Sequence, residues 1–287
     1  MKNIPVRRIN TAHIEPDFSG SFSIRDIEKV LAGKDMVQEL HRHDYFFILA
    51  LSKGAGSHDI DFTAYKIHDH SVFFMRPGQV HRLTLKAGSK GYLMQFKTDF
   101  YYPNDQASGQ LLRRASHKNL CRLDAGSFKK VHAALEHIFQ EYTDKQEGYR
   151  DVIAANLGIF FIELVRNRED RKSASPAAGD YVQERLEEFL VLLETHIAGC
   201  KKVSQYADMM HLSSYQLNAI TKNSLGKTGS ELIDEYTVQE AKRYLLATSN
   251  QVNEIAYHLG YEDISYFIRF FKKHTGYSPE AFRQKFK

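Results

Sequence analysis

The spacing of apolar side chains changes period once along this chain, near residue 127. Upstream, the pattern is that of short strands. Tyr45, Phe47, Leu49 and Leu51 alternate with Asp44, Phe46, Ile48 and Ala50. Both sets are largely apolar, so the segment reads as a strand buried on both faces. Lys53–Gly54–Ala55–Gly56 marks a turn, residues 60–67 read as a pair of strands, and residues 72–75 as another strand. Arg76–Pro77–Gly78–Gln79 suits a type II turn, because proline presets one φ and glycine accepts a positive one. Residues 83–85 and 91–96 complete a set of short strands whose regular spacing predicts a sandwich or barrel. Residues 1–40 carry less pattern. Arg25–Asp26–Ile27–Glu28–Lys29–Val30–Leu31 reads equally as a short helix or a strand, and the β period becomes clear from His41.

From Ser127 the period is helical. Phe128, Val131, Leu135, Ile138 and Phe139 form one stripe; Tyr149, Val152, Ile153, Leu157, Phe160, Phe161, Leu164 and Val165 form a second, wider one. The two helices they predict pack either on the barrel or on a second subunit, and the pattern favours neither. Residues 169–180 run from charged to small with no apolar anchor, which predicts a flexible linker over 171–180. Beyond it, Val182, Leu186, Phe189, Leu190 and Leu193 open an all-helical segment. Tyr206–Ala207–Asp208–Met209–Met210, a turn at His211–Leu212–Ser213 and a helix over 214–224 make one helix-turn-helix, with Leu217 and Ile220 inward and Tyr215, Gln216, Asn218, Ala219 and Lys222 outward. A long helix over 231–247 leads to a second. There Ile255, Ala256 and Leu259 share a face, Gly260 makes the turn, Asp263 is a good N-cap, and Phe267, Phe270 and Phe271 repeat at i, i+3, i+4. Ser265, Tyr266, Arg269, Lys272 and Lys273 are left for the outer face.

The second unit resembles the AraC/XylS family of bacterial transcription regulators. The resemblance runs from Glu240–Ala241–Lys242–Arg243 through Glu254–Ile255–Ala256, Leu259–Gly260–Tyr261, Ser265–Tyr266–Phe267 and Arg269–Phe270–Phe271–Lys272–Lys273 to Gly276 and Ser278–Pro279–Glu280–Ala281–Phe282–Arg283. So many matches in order form a specific signal, whereas two amphipathic helices around a glycine are commonly plain packing. The first unit departs from the family pattern, with Ala219 where arginine is common, Thr221 where an aromatic is common and Tyr236 in place of a frequent arginine. In the second, Gln251 replaces the commoner serine N-cap. His41–Arg42–His43, followed by Pro77–Gly78–Gln79–Val80–His81, resembles the cupin-like sensor barrel of the same regulators. The implied fold is α+β: a cupin-like β-barrel with two following helices over 1–170, then a seven-helix domain over 181–287 with helix-turn-helix units at 203–224 and 252–274.

Totals change this picture little. At 287 residues, a prior of roughly 100–200 residues per domain predicts two domains. No apolar run is long enough to span a bilayer, and the N-terminus lacks a signal-peptide core, so a cytoplasmic, nucleoid-associated location is expected. Cys121 and Cys200 fit neither a disulfide framework nor a metal spacing. The net charge of +4 is a weak pointer to nucleic acid. Residues 181–287 carry 13 basic and 13 acidic side chains, but residues 269–287 carry six basic (Arg269, Lys272, Lys273, Arg283, Lys285, Lys287) against Glu280. A local basic face is therefore expected, with more of the binding left to specific contacts.

The resemblance implies an operator-DNA partner, a small organic effector, RNA polymerase and a homodimer through the helices at 127–168. Two recognition helices on one linking helix would enter successive major grooves about 34 Å apart. Arg269, one turn from Ser265, suits a bidentate bond to guanine; Asn218 suits adenine and Tyr215 a thymine methyl; Lys222, Lys272 and Lys273 suit phosphate. In the barrel, parity puts His41, His43, Tyr45 and Phe47 on one strand face, and His81 joins them as effector-binding candidates. In metal-binding cupins a carboxylate completes the histidine set, and Phe47 stands at that position here. A small-molecule pocket therefore ranks first, a packed barrel core second and a metal third, with no cofactor and no catalytic residue expected. The rival is a metal-dependent cupin enzyme with a helical C-terminal domain, and the missing carboxylate and missing acid–base pair weigh against it. His58, His68 and His70 show no ligand spacing and read as surface or turn residues.

Overall fold

The computed structural model describes residues 6–7, 9, 21–61, 63–97, 100–101, 106–169 and 176–286. The chain divides into two compact units, residues 5–173 and 174–287.

The first unit is a double-sheet barrel. One sheet holds, in order, β1 (Val6–Arg7), β3 (Met36–His43), β8 (Val80–Leu85), β5 (Gly56–Ile60) and β6 (Thr63–Ile67). The other holds β10 (Leu120–Arg122), β7 (Ser71–Met75), β4 (Phe46–Lys53), β9 (Lys90–Phe96) and β2 (Phe22–Asp26). The doubly apolar pattern of β4 has a direct cause. Phe47, Leu49 and Leu51 face the barrel interior with Ile60, Phe73 and Leu83. Phe46, Ile48 and Ala50 face outward into a second core with Phe128, Leu135, Leu157 and Phe161. That second core is made by α3 (Ala125–Asp144) and α4 (Tyr149–Glu169), which pack on each other and on the barrel. Both stripes are thus used within the chain.

Several local expectations are corrected. Residues 25–31 are neither all helix nor all strand: β2 runs into α1 (Ile27–Leu31), because Asp26 Oδ1 accepts the Glu28 N–H and caps the helix. His41, His43, Tyr45 and Phe47 do not share one strand, since β3 ends at His43, a bend at Asp44–Tyr45 follows, and β4 begins in the opposite sheet. Helix α2 (Gln106–Ser116) and β10 lie in a stretch where no apolar period was legible.

The second unit has seven helices among the described residues: α5 (Pro176–His196), α6 (Val203–Met209), α7 (Ser214–Leu225), α8 (Gly229–Ala247), α9 (Val252–His258), α10 (Ile264–Thr275) and α11 (Pro279–Phe286). Helix α5 starts at Pro176, so the second half of the expected linker is helical. Proline's fixed φ suits a first helical turn, and two alanines follow it. The first half of that linker lies outside the described residues. Helix α8 is about 28 Å long at 1.5 Å per residue, and it touches α6, α7, α9, α10 and α11.

Candidate functional site

The helical unit is built twice over. Helices α6 and α9 have 7 residues each, and α7 and α10 have 12. Both longer helices end on a left-handed glycine, Gly226 at φ 72° and Gly276 at φ 79°. Both turns carry the same bond: the Leu212 N–H donates to the Ala207 carbonyl at 2.8 Å, and the Tyr261 N–H to the Ala256 carbonyl at 2.9 Å. Such a bond closes a helix only if the intervening residue is left-handed. That residue is His211 at φ 53° in the first unit and Gly260 at φ 76° in the second. At Gly260 more than φ is at stake, because a Cβ there would lie 1.6 Å from the Ala198 carbonyl oxygen.

The N-terminal ends of α7 and α10 are fixed by side-chain caps. Ser213 Oγ accepts the Gln216 N–H at 3.2 Å while Gln216 Oε1 accepts the Ser213 N–H at 2.9 Å. This reciprocal box assigns Gln216 to capping. Asp263 Oδ1 accepts the N–H groups of Ser265 and Tyr266 at 2.8 and 3.1 Å. Past the caps, Tyr215 (83 % exposed) and Lys222 stand out from α7, and Ser265, Tyr266, Arg269, Lys272 and Lys273 from α10. Phe267 and Phe271 fill the other face of α10. Arg269 Nη2 lies 3.9 Å from Asp263 Oδ2, both well exposed, so the pair is solvent-screened and weak. It leans the guanidinium toward the start of the helix.

Two residues expected on the basic and base-reading face make structural bonds. Asn218 is half-buried, and its Oδ1 accepts the Gly229 N–H at 2.8 Å, bracing the start of α8. The bond uses one of the two lone pairs of that oxygen and gives Asn218 a structural role beside the base contact expected of it. Arg283 is buried: Nε donates to the Leu245 carbonyl at 3.0 Å and Nη2 to the Asn250 carbonyl at 2.5 Å. It clasps the α8–α9 connection instead of joining the basic face.

In the barrel, the expected candidates converge although they come from two sheets. His41 on β3 is the cross-strand partner of His81 on β8, just past a register shift after Gln38. Directly opposed residues point to one face of a sheet. His43 lies two residues along the same strand face, and its ring centroid is 4.7 Å from those of both His41 and His81. Tyr45 and Phe47 close over it, at 4.4 Å and, in near-parallel stacking, 5.4 Å. Gln95, not anticipated from the sequence, donates to Tyr45 Oη at 3.0 Å. All five candidates are buried.

A fourth imidazole joins them. His58 is fully buried, with Nε2 2.8 Å from His81 Nδ1. The surface reading of His58 is therefore corrected. It shares parity with Ile60 on β5, and an alternation extended two residues upstream of Ile60 would have given its burial, though not its neighbours. Desolvation, and secondarily the nearby His41, pushes its pKa down to about 3, so it stands neutral at physiological pH.

Comparison with known proteins accords with both halves. Residues 32–147 match the model of the AraC-like ligand binding domain and residues 206–285 that of a helix-turn-helix domain. The chain is 26% identical over 272 residues to the HTH-type transcriptional activator RhaS of Escherichia coli O157:H7, covering 93% of this chain and 94% of that one. It is 24% identical over 264 residues to RhaS of Yersinia pestis, covering 85% and 89%. A crystal structure of ToxT from Vibrio cholerae aligns over 96% of each chain at 16% identity with a TM-score of 0.43, too distant to carry an argument. No helix among the described residues is long and apolar enough to cross a membrane. With a ligand-binding domain ahead of a duplicated helix-turn-helix in one chain, the protein belongs to the AraC family of DNA-binding transcription regulators.

Proposed function

We propose that this regulator activates transcription in response to a small ligand held in the histidine-lined barrel, with no catalytic turnover of its own. The observation that carries the reading is the matched pair of capped helices, α7 and α10, each presenting an outward polar face. On α10, Arg269 reads guanine, Ser265 and Tyr266 line the same approach, and Lys272 and Lys273 neutralise phosphate. On α7, Tyr215 packs on a base edge and Lys222 meets phosphate. The sign of regulation, and RNA polymerase as the protein partner, are supported by the activators that the chain resembles along most of its length. His41, His43, Tyr45, Phe47 and His81 form the ligand site, residues 1–170 the sensing domain and 181–287 the DNA-binding domain.

The protein acts as a cytoplasmic homodimer. Helix α4 turns Ile153, Leu157, Phe160 and Phe161 to the barrel, yet leaves Ala155, Ile159 and Ile162 exposed at i, i+4, i+3 spacing. That outward apolar stripe supports a partner helix from a second copy.

The test is to map the DNA bound by the protein across the genome and titrate recovered and scrambled duplexes at low and high salt. Recovered sites are expected to bind at least about 1,000-fold tighter than scrambled DNA, as for a specific regulator. Equal affinity for both at every salt concentration would sink the reading.

A further inference from the structure

We propose that His41, His43 and His81 form a binding site for one divalent transition-metal ion, with His58 as the positioning residue behind it. This rests on the reading of the barrel as the ligand-holding half, and it names the ligand. One ring nitrogen from each of the three histidines lies within 4.8 Å of the other two, and all three residues are buried.

The hydrogen bonds fix the tautomer of His41 and are compatible, at His43 and His81, with the tautomers a metal needs. His41 Nδ1 lies 2.6 Å from the Glu39 carbonyl oxygen. A carbonyl only accepts, so Nδ1 carries the proton and Nε2 keeps its lone pair. His81 Nδ1 faces His58 Nε2 at 2.8 Å, which lets Nδ1 donate and leaves a lone pair on His81 Nε2. That nitrogen faces His43 Nε2 at 2.7 Å, so a single proton bridges the two. An ion entering here takes both Nε2 lone pairs, and the bridging proton passes to His43 Nδ1, so both rings stay neutral imidazoles and no proton is lost. Two imidazole nitrogens bound to one ion at about 2.0–2.1 Å stand roughly 2.9–3.4 Å apart, so the pair opens by only a few tenths of an ångström.

The donors also select the class of ion. Three imidazoles suit zinc, copper, nickel or iron and disfavour magnesium and calcium, which take oxygen ligands. Ring packing argues for an ion over an organic molecule at this level of the barrel: His41 and His81 are 4.2 Å apart by centroid, and Phe47 lies 5.2 Å from His81. Phe47 holds no donor atom and serves as an apolar cover. His58 acts through His81, as the hydrogen-bonded partner of a metal-bound histidine does.

The test uses the full chain, stripped with a chelator and titrated with Co(II), whose visible absorption reports its coordination, and with Zn(II) in competition. Expected is one Co(II) per chain, displaced by Zn(II). His81→Gln and His41→Gln should abolish the visible bands with the far-ultraviolet circular dichroism unchanged. His58→Gln should keep the stoichiometry, weaken binding by about 10- to 100-fold and shift the pH profile of binding. If the glutamine variants do not fold, the wild-type stoichiometry and metal-dependent rise in melting temperature still decide the matter. A folded, stripped chain that takes up no Co(II) or Zn(II) overturns the site, as does unchanged affinity in folded His41→Gln and His81→Gln. DNA binding is measured on the same samples. Co(II) uptake at these histidines with indifferent DNA affinity upholds the metal site and overturns the sensing role. Absence of uptake alongside an effect of an organic ligand on DNA affinity does the reverse.

Discussion

At the scale of single residues, the exposed face of α10 combines two kinds of contact that mutation separates. Arg269 lies between the Asp263 cap and the lysine pair, and its weak pairing with Asp263 costs little to break. Removing an arginine that makes a bidentate bond to guanine should cost about 1–3 kcal/mol at one base position and relax specificity there. Lys273→Ala should weaken binding to every sequence alike and flatten the salt dependence, since a phosphate contact carries no base information. Binding of Arg269→Ala to duplexes varied one base pair at a time checks this. A uniform loss, like that of Lys273→Ala, would make Arg269 a phosphate clamp. Asn218 and Arg283 show what residue type alone leaves out. Both are polar residues on helices of the DNA-binding unit, yet each is committed to a backbone group by a neighbouring helix or loop. Helical period gives the face a residue occupies, while the element packed against that face decides whether it is free to act.

At the scale of elements, two left-handed glycines that end helices differ in what they must tolerate. Gly226 and Gly260 have similar φ, 72° and 76°. A Cβ on Gly226 meets nothing within 4 Å, whereas one on Gly260 strikes the Ala198 carbonyl oxygen. Gly226→Ala should therefore cost only backbone strain, about 1 kcal/mol. Gly260→Ala adds a backbone clash to the strain and should cost upwards of about 3 kcal/mol. Chemical denaturation of the full chain followed by circular dichroism measures both, and equal losses would refute the close approach. The element pattern was otherwise largely legible. Helices α7, α8 and α10 carry side-chain N-caps of the expected residue types, and β4 announces its two buried faces through unbroken apolar residues. What was hidden is long-range. The alternation around Asp44 continues through a bend that changes sheets, so parity carried no sign that His43 and Phe47 belong to different strands. His58 enters the cluster because β5 pairs with β8, a partnership that no local period encodes.

At the scale of the whole molecule, the stripe left on α4 is where the proposed dimer would join. The helix is apolar nearly all round: one side fills the core beneath it, while Ile159 stays 51% and Ile162 39% exposed. Isolated exposed apolar residues are ordinary, but two large ones a turn apart beside Ala155 form a seam suited to a second helix. Dimerisation there would also matter for DNA binding, because residues 181–287 are balanced in charge and gain little from non-specific attraction. Joining two copies raises the effective concentration of the second on DNA without any new base contact. Ile159→Lys combined with Ile162→Glu should cost little in folding, about 0.5 kcal/mol or less at each exposed position. It should nonetheless shift the protein from dimer to monomer in sedimentation equilibrium. Affinity for a duplex with two half-sites should fall at least about 100-fold, the lower end of avidity gains, while affinity for a single half-site stays unchanged. A variant that remains dimeric, or that loses single and paired half-sites equally, would mean that this seam does not join the subunits.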